Sequence, residues 1–446
     1  MESVIPDIDS STSGDKQRPS KAGLPVRYAR AIPSDRVDPD AVKVIRRLSR
    51  HGHTAYLVGG GVRDLLLERT PKDFDVATSA RPEEVRRLFR NCRIIGRRFR
   101  LAHILFGRGK VIETATFRRD PMQAFEEVEA EFREEMQAQT DGDSVPVPHR
   151  RGRDDGADLL IRQDNVFGEP HEDAIRRDFT INGLFYDIDR GEVIDYIGGV
   201  PDLERRLVRT IGDPDVRIRE DPIRILRAIK FSARLDLGID PELYDALVTH
   251  RDELQRAARP RVLEEVLRLL RGGASQRSIY LCWDTGVLCV VLPEVASFLD
   301  DDAPGSELFW HRLDALDRRQ REGRLPTDAV LTAALLLGPL QEWLEGTRDP
   351  ARAFEEFFDA LVLRLAVPRR LKDRLRSIVL VQGRLRSGKH GPLLRRDFFA
   401  DAAELFAIDC EARGLRPPNW AESPVRAQPD PETPDRPRSR RRRRRR

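Results

Sequence analysis

The chain has 446 residues, 39% of them hydrophobic and 35% charged, with a formal net charge of +4. That length accommodates two or three domains and a sizeable core, while no apolar run approaches the roughly 20 residues of a membrane span. The N-terminus lacks the basic-then-apolar order of a secretory signal, and Cys92, Cys282, Cys289 and Cys410 show no metal-ligand spacing. The expectation is a cytoplasmic protein with no transmembrane segment and with reduced, mostly buried thiols.

In chain order, residues 1–36 are polar with scattered prolines and are expected to lack fixed structure. A helix is predicted from Asp38-Pro-Asp-Ala, carrying Val42, Val44, Ile45 and Leu48 at helical spacing. Strand and helix signals then alternate through Ala55 to Val58, Val62 to Leu67, Phe74 to Ala77 and Pro82 to Phe89. Two further strands follow, Ala102 to Phe106 and Val111 to Phe117. This pattern predicts a small α/β head with a mixed sheet, spanning 37–215. Residues 119–165 interrupt it with an acidic helical piece (Phe125 to Met136) and Asp-, Gly- and Arg-rich sequence, read as a mobile insertion. From Asp221 the chain reads as helical, with Ile223, Ile225, Leu226, Ile229 and Phe231 as the first buried stripe. A helical neck over 216–275 and a helical body over 276–415 are expected, with no strand after Tyr196. Residues 416–446 hold eleven arginines against four carboxylates, a net +7, so the remainder of the +4 chain is near −3. Such a tail has too little apolar surface to fold. A polycation neutralises phosphates without reading sequence, so RNA is its expected partner; a solubilising or membrane-surface tail is the alternative.

Four clusters carry chemistry. The strand ending at Val58 runs into Gly59, Gly60 and Gly61, which allow close approach of backbone to phosphate, with Arg63 adding a charge-assisted bond; a plain strand-to-helix turn is the alternative. Asp64 is expected to anchor Arg63. In Asp73-Phe-Asp75-Val76, an extended strand would project both carboxylates to one side, as a pair of Mg²⁺ ions requires. Glu113 on a later strand is the natural third carboxylate, or else a solvated strand residue. In Arg176-Arg-Asp-Phe-Thr-Ile-Asn182, Arg177 can reach phosphate and Asp178 a ribose hydroxyl, unless they form an ordinary ion pair at a helix start. In Glu220-Asp-Pro-Ile-Arg224, Asp221 and Arg224 share a helical face and offer the acceptor and donor that an adenine edge demands; Asp221 with Pro222 also reads as a helix N-cap. Arg227 and Lys230 continue the basic face. Basic residues crowd Arg93 to Arg100, and His103 reads as a structural histidine within its strand.

Together, Leu57-Val-Gly-Gly-Gly-Val-Arg-Asp64, Asp73-Phe-Asp75, Arg176-Arg-Asp-Phe-Thr-Ile-Asn182 and Glu220-Asp-Pro-Ile-Arg224 closely resemble the class II tRNA nucleotidyltransferase and poly(A) polymerase superfamily. Two activities share that head, CCA addition to tRNA and poly(A) tailing. The segment Ile95-Gly-Arg-Arg-Phe-Arg-Leu-Ala-His103 and the arginine-rich tail resemble its bacterial poly(A) polymerase branch. The resemblance implies a polymerase-β-like α/β nucleotidyltransferase head followed by an all-α C-terminal region. It also implies two Mg²⁺ ions on Asp73, Asp75 and Glu113. ATP would be the substrate, its triphosphate on Gly60, Gly61, Arg63 and Arg177, its ribose on Asp178 and its adenine on Asp221 and Arg224. RNA 3′ ends and RNA-decay factors are the implied partners. CCA addition is the alternative activity, since CCA enzymes carry a similar Asp and Arg pair, and a non-catalytic RNA-binding adaptor is a further one. The acidic insertion has no counterpart in the family pattern.

Overall fold

A computed structural model of the chain describes residues 24–96, 100–119, 166–300 and 305–422. Asp38 opens the head's first helix, α1 (Pro39–Arg50), accepting from the amides of Asp40 and Ala41 at 2.8 and 3.4 Å with proline in the first turn. Its apolar stripe of Ala41, Val44, Ile45 and Leu48 is fully buried. The strands are β1 (Val26–Ala29), β2 (Ala55–Val58), β3 (Asp75–Thr78), β4 (Cys92–Ile95), β5 (Leu101–Leu105), β6 (Val111–Thr116), β7 (Phe185–Asp187) and β8 (Glu192–Asp195). They form one sheet in the order β1-β8-β7-β2-β3-β6-β5-β4. It is mixed as expected, because β3 and β6 run parallel while their other neighbours are antiparallel. Helices α2 (Gly60–Leu66) and α3 (Pro82–Leu88) follow β2 and β3. Side chains alternate between the sheet faces. Leu57 and Val76 join the main core beneath α1, while Val58, Ala77, Phe117 and Phe185 form a small second core with Tyr56 and Tyr196.

The head also carries α4 (Pro170–Ile175) and α5 (Gly199–Glu204), and the neck comprises α6 (Pro214–Glu220), α7 (Ile223–Leu235), α8 (Pro241–Thr249) and α9 (Arg259–Leu270). The stripe Ile223, Ile225, Leu226 and Ile229 is buried as expected. The body is α10 (Ser275–Asp284), α11 (Val287–Val291), α12 (Pro293–Asp300), α13 (Ser306–Arg321), α14 (Asp328–Leu344), α15 (Pro350–Leu365), α16 (Arg369–Leu380), α17 (Gln382–Arg386) and α18 (Phe399–Ala412). Buried ion pairs lock α13 to α18: Arg312 meets Asp409 at 2.8 Å and Arg319 meets Glu404 at 2.9 Å.

Three expectations are corrected. Residues 26–29 form an edge strand on β8 instead of belonging to an unstructured leader. Averaging over a polar region hides the alternation of Val26-Arg27-Tyr28-Ala29, whose backbone groups the sheet edge satisfies. A short parallel pair follows Tyr196, β9 (Leu207–Val208) with β10 (Gly238–Ile239), because two-residue strands are too short to leave a periodic signal. Asp73 lies outside β3, which begins at Asp75, so strand alternation does not bring the two carboxylates together. The insertion and the arginine-rich tail from 423 lie outside the described residues. Cys92, Cys282 and Cys410 are buried free thiols and Cys289 is exposed. Among the described residues no helix is long and apolar enough to cross a membrane.

Asp409 is half of a pair whose partner Arg312 is almost fully buried. Removing one member leaves an uncompensated charge, so Asp409→Ala is expected to lower unfolding free energy by about 3–5 kcal/mol. Glu356→Ala, which breaks the exposed Arg352–Glu356 pair, should change it by less than about 1 kcal/mol. Urea unfolding of both variants checks this.

Candidate active site

The register around β3 determines where the carboxylates stand. Val58 pairs with Asp75, and Val76 pairs with Thr114 in the parallel ladder. One residue earlier on each parallel strand, Asp75 and Glu113 are side by side on the face carrying the small second core. Asp73 arrives by a different route: the loop before β3 folds over α2 and rests on Gly61. A Cβ at Gly61 would stand 3.2 Å from the Asp73 carbonyl oxygen, so a side chain there would push the loop away. Burial, followed by the charges of Glu113 and Asp73, raises the Asp75 carboxyl to about 6, against a lowering influence from Arg177.

Three hard oxygen donors under mutual repulsion, with no sulfur ligand, suit Mg²⁺. The set is open: the Glu113 carboxylate lies 3.6 Å from His103 Nε2 on β5 and is half exposed. Among the described residues no group of three or more His, Cys, Asp or Glu side chains stands close enough together to hold a metal ion. Charge proximity and an open set are compatible, because Coulomb repulsion acts well beyond ligating distance.

Above the carboxylates is an open cleft of about 880 Å³ between the head and the neck. Gly59, in the cleft lining, has φ +68°, which favours glycine, and a Cβ there would stand 3.0 Å from Arg177 Nη1. Gly60 lines the cleft, whereas Gly61 is buried beneath Asp73. Arg63 also lines it, 5% exposed, donating from Nε and Nη2 to Asp64 and from Nη1 to Asn182 Oδ1. Asp64 thus anchors Arg63, and two of the five guanidinium N–H groups are left for a ligand. Arg177 donates to Asp173 at 2.8 and 3.1 Å and to the Asn182 carbonyl at 3.2 Å. Asp173 also accepts from Arg176 at 3.3 Å and from the Arg118 amide at 3.2 Å, and orients the arginine pair from below.

Asp178 is engaged on both oxygens. Oδ1 accepts from the Phe179 amide and from Asn182 Nδ2, and Oδ2 from Arg227 Nε at 2.7 Å and Nη2 at 2.5 Å. Burial opposes ionisation, but the Arg227 charge and these hydrogen bonds hold the carboxyl at about 2. All four lone-pair sites are occupied, so a ribose hydroxyl reaches Asp178 only by displacing one of these donors.

Asp221 is the C-cap of α6 and not the N-cap of α7. It ends α6, and its side chain pairs with Arg261 at 2.9 Å across the cleft, while α7 starts at Ile223 with no side-chain cap. Arg224 is buried, with Nη1 donating to Glu220 at 3.1 Å and to the Arg217 carbonyl. Lys230 does not continue an open basic face: it is buried against Glu265 at 2.7 Å, and burial lowers it to about 8. Of the basic segment 93–100, residues 97–99 lie outside the described residues and Arg100 pairs with Glu83.

Sequence reasoning missed the outer wall, built by Arg261, Glu264, Glu265 and Arg268 of α9. Their spacing of three, four and seven marks one polar helical face, a signal present in the sequence. Asn182 and Phe231 were also missed. Phe231 packs edge-on against Phe179 at 5.7 Å and lies beneath Arg63 at 5.0 Å.

A family model described as the poly A polymerase head domain matches residues 55–209, and one described as the probable RNA and SrmB-binding site of polymerase A matches 236–299. The chain is 36% identical over 432 residues to a poly(A) polymerase I of Escherichia coli O6:H1, covering 93% of this chain and 88% of the relative. A poly(A) polymerase I of Haemophilus influenzae is 34% identical, covering 84% of this chain and 81% of the relative. A CCA-adding enzyme of Geobacillus kaustophilus is 32% identical, covering 74% and 71%. The crystal structure of the Bacillus stearothermophilus CCA-adding enzyme in complex with CTP shares the fold, with TM-score 0.56 and 23% identity over 86% of this chain and 81% of that one.

Because the folded Asp178 carboxyl sits near 2 against an ordinary 3.8, its ionisation stabilises the fold above about pH 4. That contribution, on the order of 2 kcal/mol, is lost as pH falls through 2. Asp178→Asn is therefore expected to unfold more easily at neutral pH and to show a flatter stability profile between pH 4 and 2, read by denaturant melts across that range.

Proposed function

The chain belongs to the bacterial poly(A) polymerase I family of RNA nucleotidyltransferases, and from that membership and its cleft we propose that it extends RNA 3′ ends with AMP from ATP. The observation that carries this reading is that Asp73 and Asp75 of the head line one cleft with Asp221 and Arg224 of the neck, with Glu113 next to Asp75 in the sheet. Asp73, Asp75 and Glu113 would hold two Mg²⁺ ions, which when bound promote loss of the 3′-hydroxyl proton and neutralise charge on the triphosphate.

The chain's own groups do the rest. The free N–H groups of Arg63, fixed by Asp64 and Asn182, face the triphosphate beside Gly60. Arg177, fixed by Asp173, supplies a second cation on the same side. Arg227, gripped by Asp178, brings positive charge to the ribose side of the cleft. Asp221 accepts from an adenine amino group, and the part of the Arg224 fork not bonded to Glu220 and the Arg217 carbonyl donates to a ring nitrogen. Selection thus needs no template strand. The RNA hydroxyl oxygen attacks the α-phosphorus and pyrophosphate leaves. The polar face of α9, with Arg261 and Arg268, borders the opening through which an RNA end would enter.

The similarity to a CCA-adding enzyme supports a second reading, which the same assay separates. Primer extension on a short RNA with Mg²⁺ and each nucleoside triphosphate singly should give long ladders with ATP and little with CTP. Two C residues followed by one A, only on tRNA-like ends, would establish CCA addition instead. Asp75→Asn is expected to fold normally and to reduce incorporation to background; normal activity in that variant would refute the assigned site.

A further inference from the structure

Adenine and cytosine present the same pair of groups to a protein reader, an exocyclic amino donor beside a ring-nitrogen acceptor. One carboxylate and one guanidinium can therefore satisfy either base. The difference is reach, because a purine carries that edge farther from its ribose than a pyrimidine does. With Asp221 and Arg224 as readers, the choice between ATP and CTP becomes a matter of how far they stand from the groups that hold ribose and triphosphate.

We propose that Arg217 is the positioning residue that sets this distance, and with it the selection of ATP. Arg217 lies in α6 and is 8% exposed. Its Nη2 donates to the carbonyl oxygens of Arg176 and Arg177 at 3.0 and 2.9 Å, in the head segment that leads to Asp178. Its Nη1 donates to Glu220 Oε2 at 2.8 Å. The same Glu220 oxygen accepts from Arg224 at 3.1 Å. The Arg217 carbonyl oxygen accepts from both readers, from the Asp221 amide at 3.3 Å and from Arg224 Nη1. One residue thus grips the triphosphate and ribose side with its guanidinium and the base-reading side with its carbonyl. The planar fork fixes both carbonyl contacts and the carboxylate in a single geometry, which an ammonium cannot reproduce. Without it, Arg224 would keep Glu220 and the backbone carbonyl of residue 217 as partners, but that backbone would lose its tie to the carbonyls of Arg176 and Arg177.

The proposal rests on the reading of Asp221 and Arg224 as base readers. Its test compares kcat/KM for ATP and for CTP on one RNA primer, in full-length wild type, Arg217→Lys, Arg217→Gln and Arg224→Ala, each checked for folding by thermal melt. In the Arg217 variants the ATP-over-CTP ratio is expected to fall by about tenfold or more, consistent with a small misplacement of a binding group. A purely structural role would lower both nucleotides together and leave the ratio intact. An unchanged or raised ratio in the Arg217 variants, alongside a collapsed ratio in Arg224→Ala, overturns the proposal alone. An unchanged ratio in Arg224→Ala removes the base-reading assignment beneath it. Failure of both Arg217 variants to fold assigns the residue to stability and overturns the proposal too.

Discussion

The contact between Asp178 and Arg227 holds the two walls of the cleft together. Asp178 belongs to the head segment that also carries Arg177, and Arg227 to α7 of the neck, and both atoms of one oxygen–guanidinium fork meet at 2.5 to 2.7 Å. Taking two charges out of water is costly, and the cost is recovered only in a geometry that satisfies every lone pair and proton. Here it is satisfied: the second carboxylate oxygen is filled by Asn182 and the Phe179 amide. Phe179 and Phe231 pack edge to face beside the pair, and Arg63 lies over Phe231. A change in the angle between head and neck would break the ion pair, the ring contact and the cation–π contact at once. The interface is therefore steep in energy around one arrangement, and that arrangement fixes where the carboxylates of β3 and β6 stand relative to Asp221 and Arg224.

The sequence revealed the pieces of this site better than their roles. Asp73 and Asp75 were recognisable from spacing and type, but the reason they meet is not strand alternation. Asp73 reaches the site because Gly61 lets its loop rest against α2, a long-range contact that no local period encodes. Arg63 and Asp64 were read as anchored neighbours, as they are. Asp178 reads from sequence as an acceptor for a ribose hydroxyl or as half of a local ion pair, and its oxygens are filled by Asn182, the Phe179 amide and an arginine 49 positions away. Sequence shows which groups can accept a bond and not which partners reach them first. The edge strand β1 escaped notice because its alternation sits in a polar region and its hydrogen bonds come from a distant strand, and the pair β9–β10 because two residues are too few to carry a period.

The outer wall illustrates the converse. Arg261, Glu264, Glu265 and Arg268 lie on one face of α9 whose other face, with Val262, Val266 and Leu269, is buried. Such a helix reads from sequence as an ordinary amphipathic element with a solvated polar side. What makes its polar side part of the cleft is the packing of α9 on α7, sealed by Lys230 and Glu265 at 2.7 Å. The polar residues of α9 thus gain their place from tertiary contact alone, and Arg261 reaches across to Asp221 only because α9 is held there.

Nucleotide choice follows the same logic at finer scale. An acceptor and a donor at Asp221 and Arg224 suit the edge of adenine and of cytosine equally, so residue identity at those positions cannot distinguish an A-adding protein from one that adds both. Relatives named as poly(A) polymerases and as CCA-adding enzymes both exceed 30% identity to this chain. What can differ is the restraint on the reader. Here Arg224 is bonded to Glu220 and to the Arg217 carbonyl, and Arg217 is bonded in turn to the head at the carbonyls of Arg176 and Arg177. A guanidinium held at Nη1 by two acceptors samples few positions, and a group that samples few positions matches bases of one reach. On the proposed reading, specificity in this cleft is a property of the hydrogen bonds behind Asp221 and Arg224, and the motif residues announce the chemistry while leaving the choice of base to the geometry.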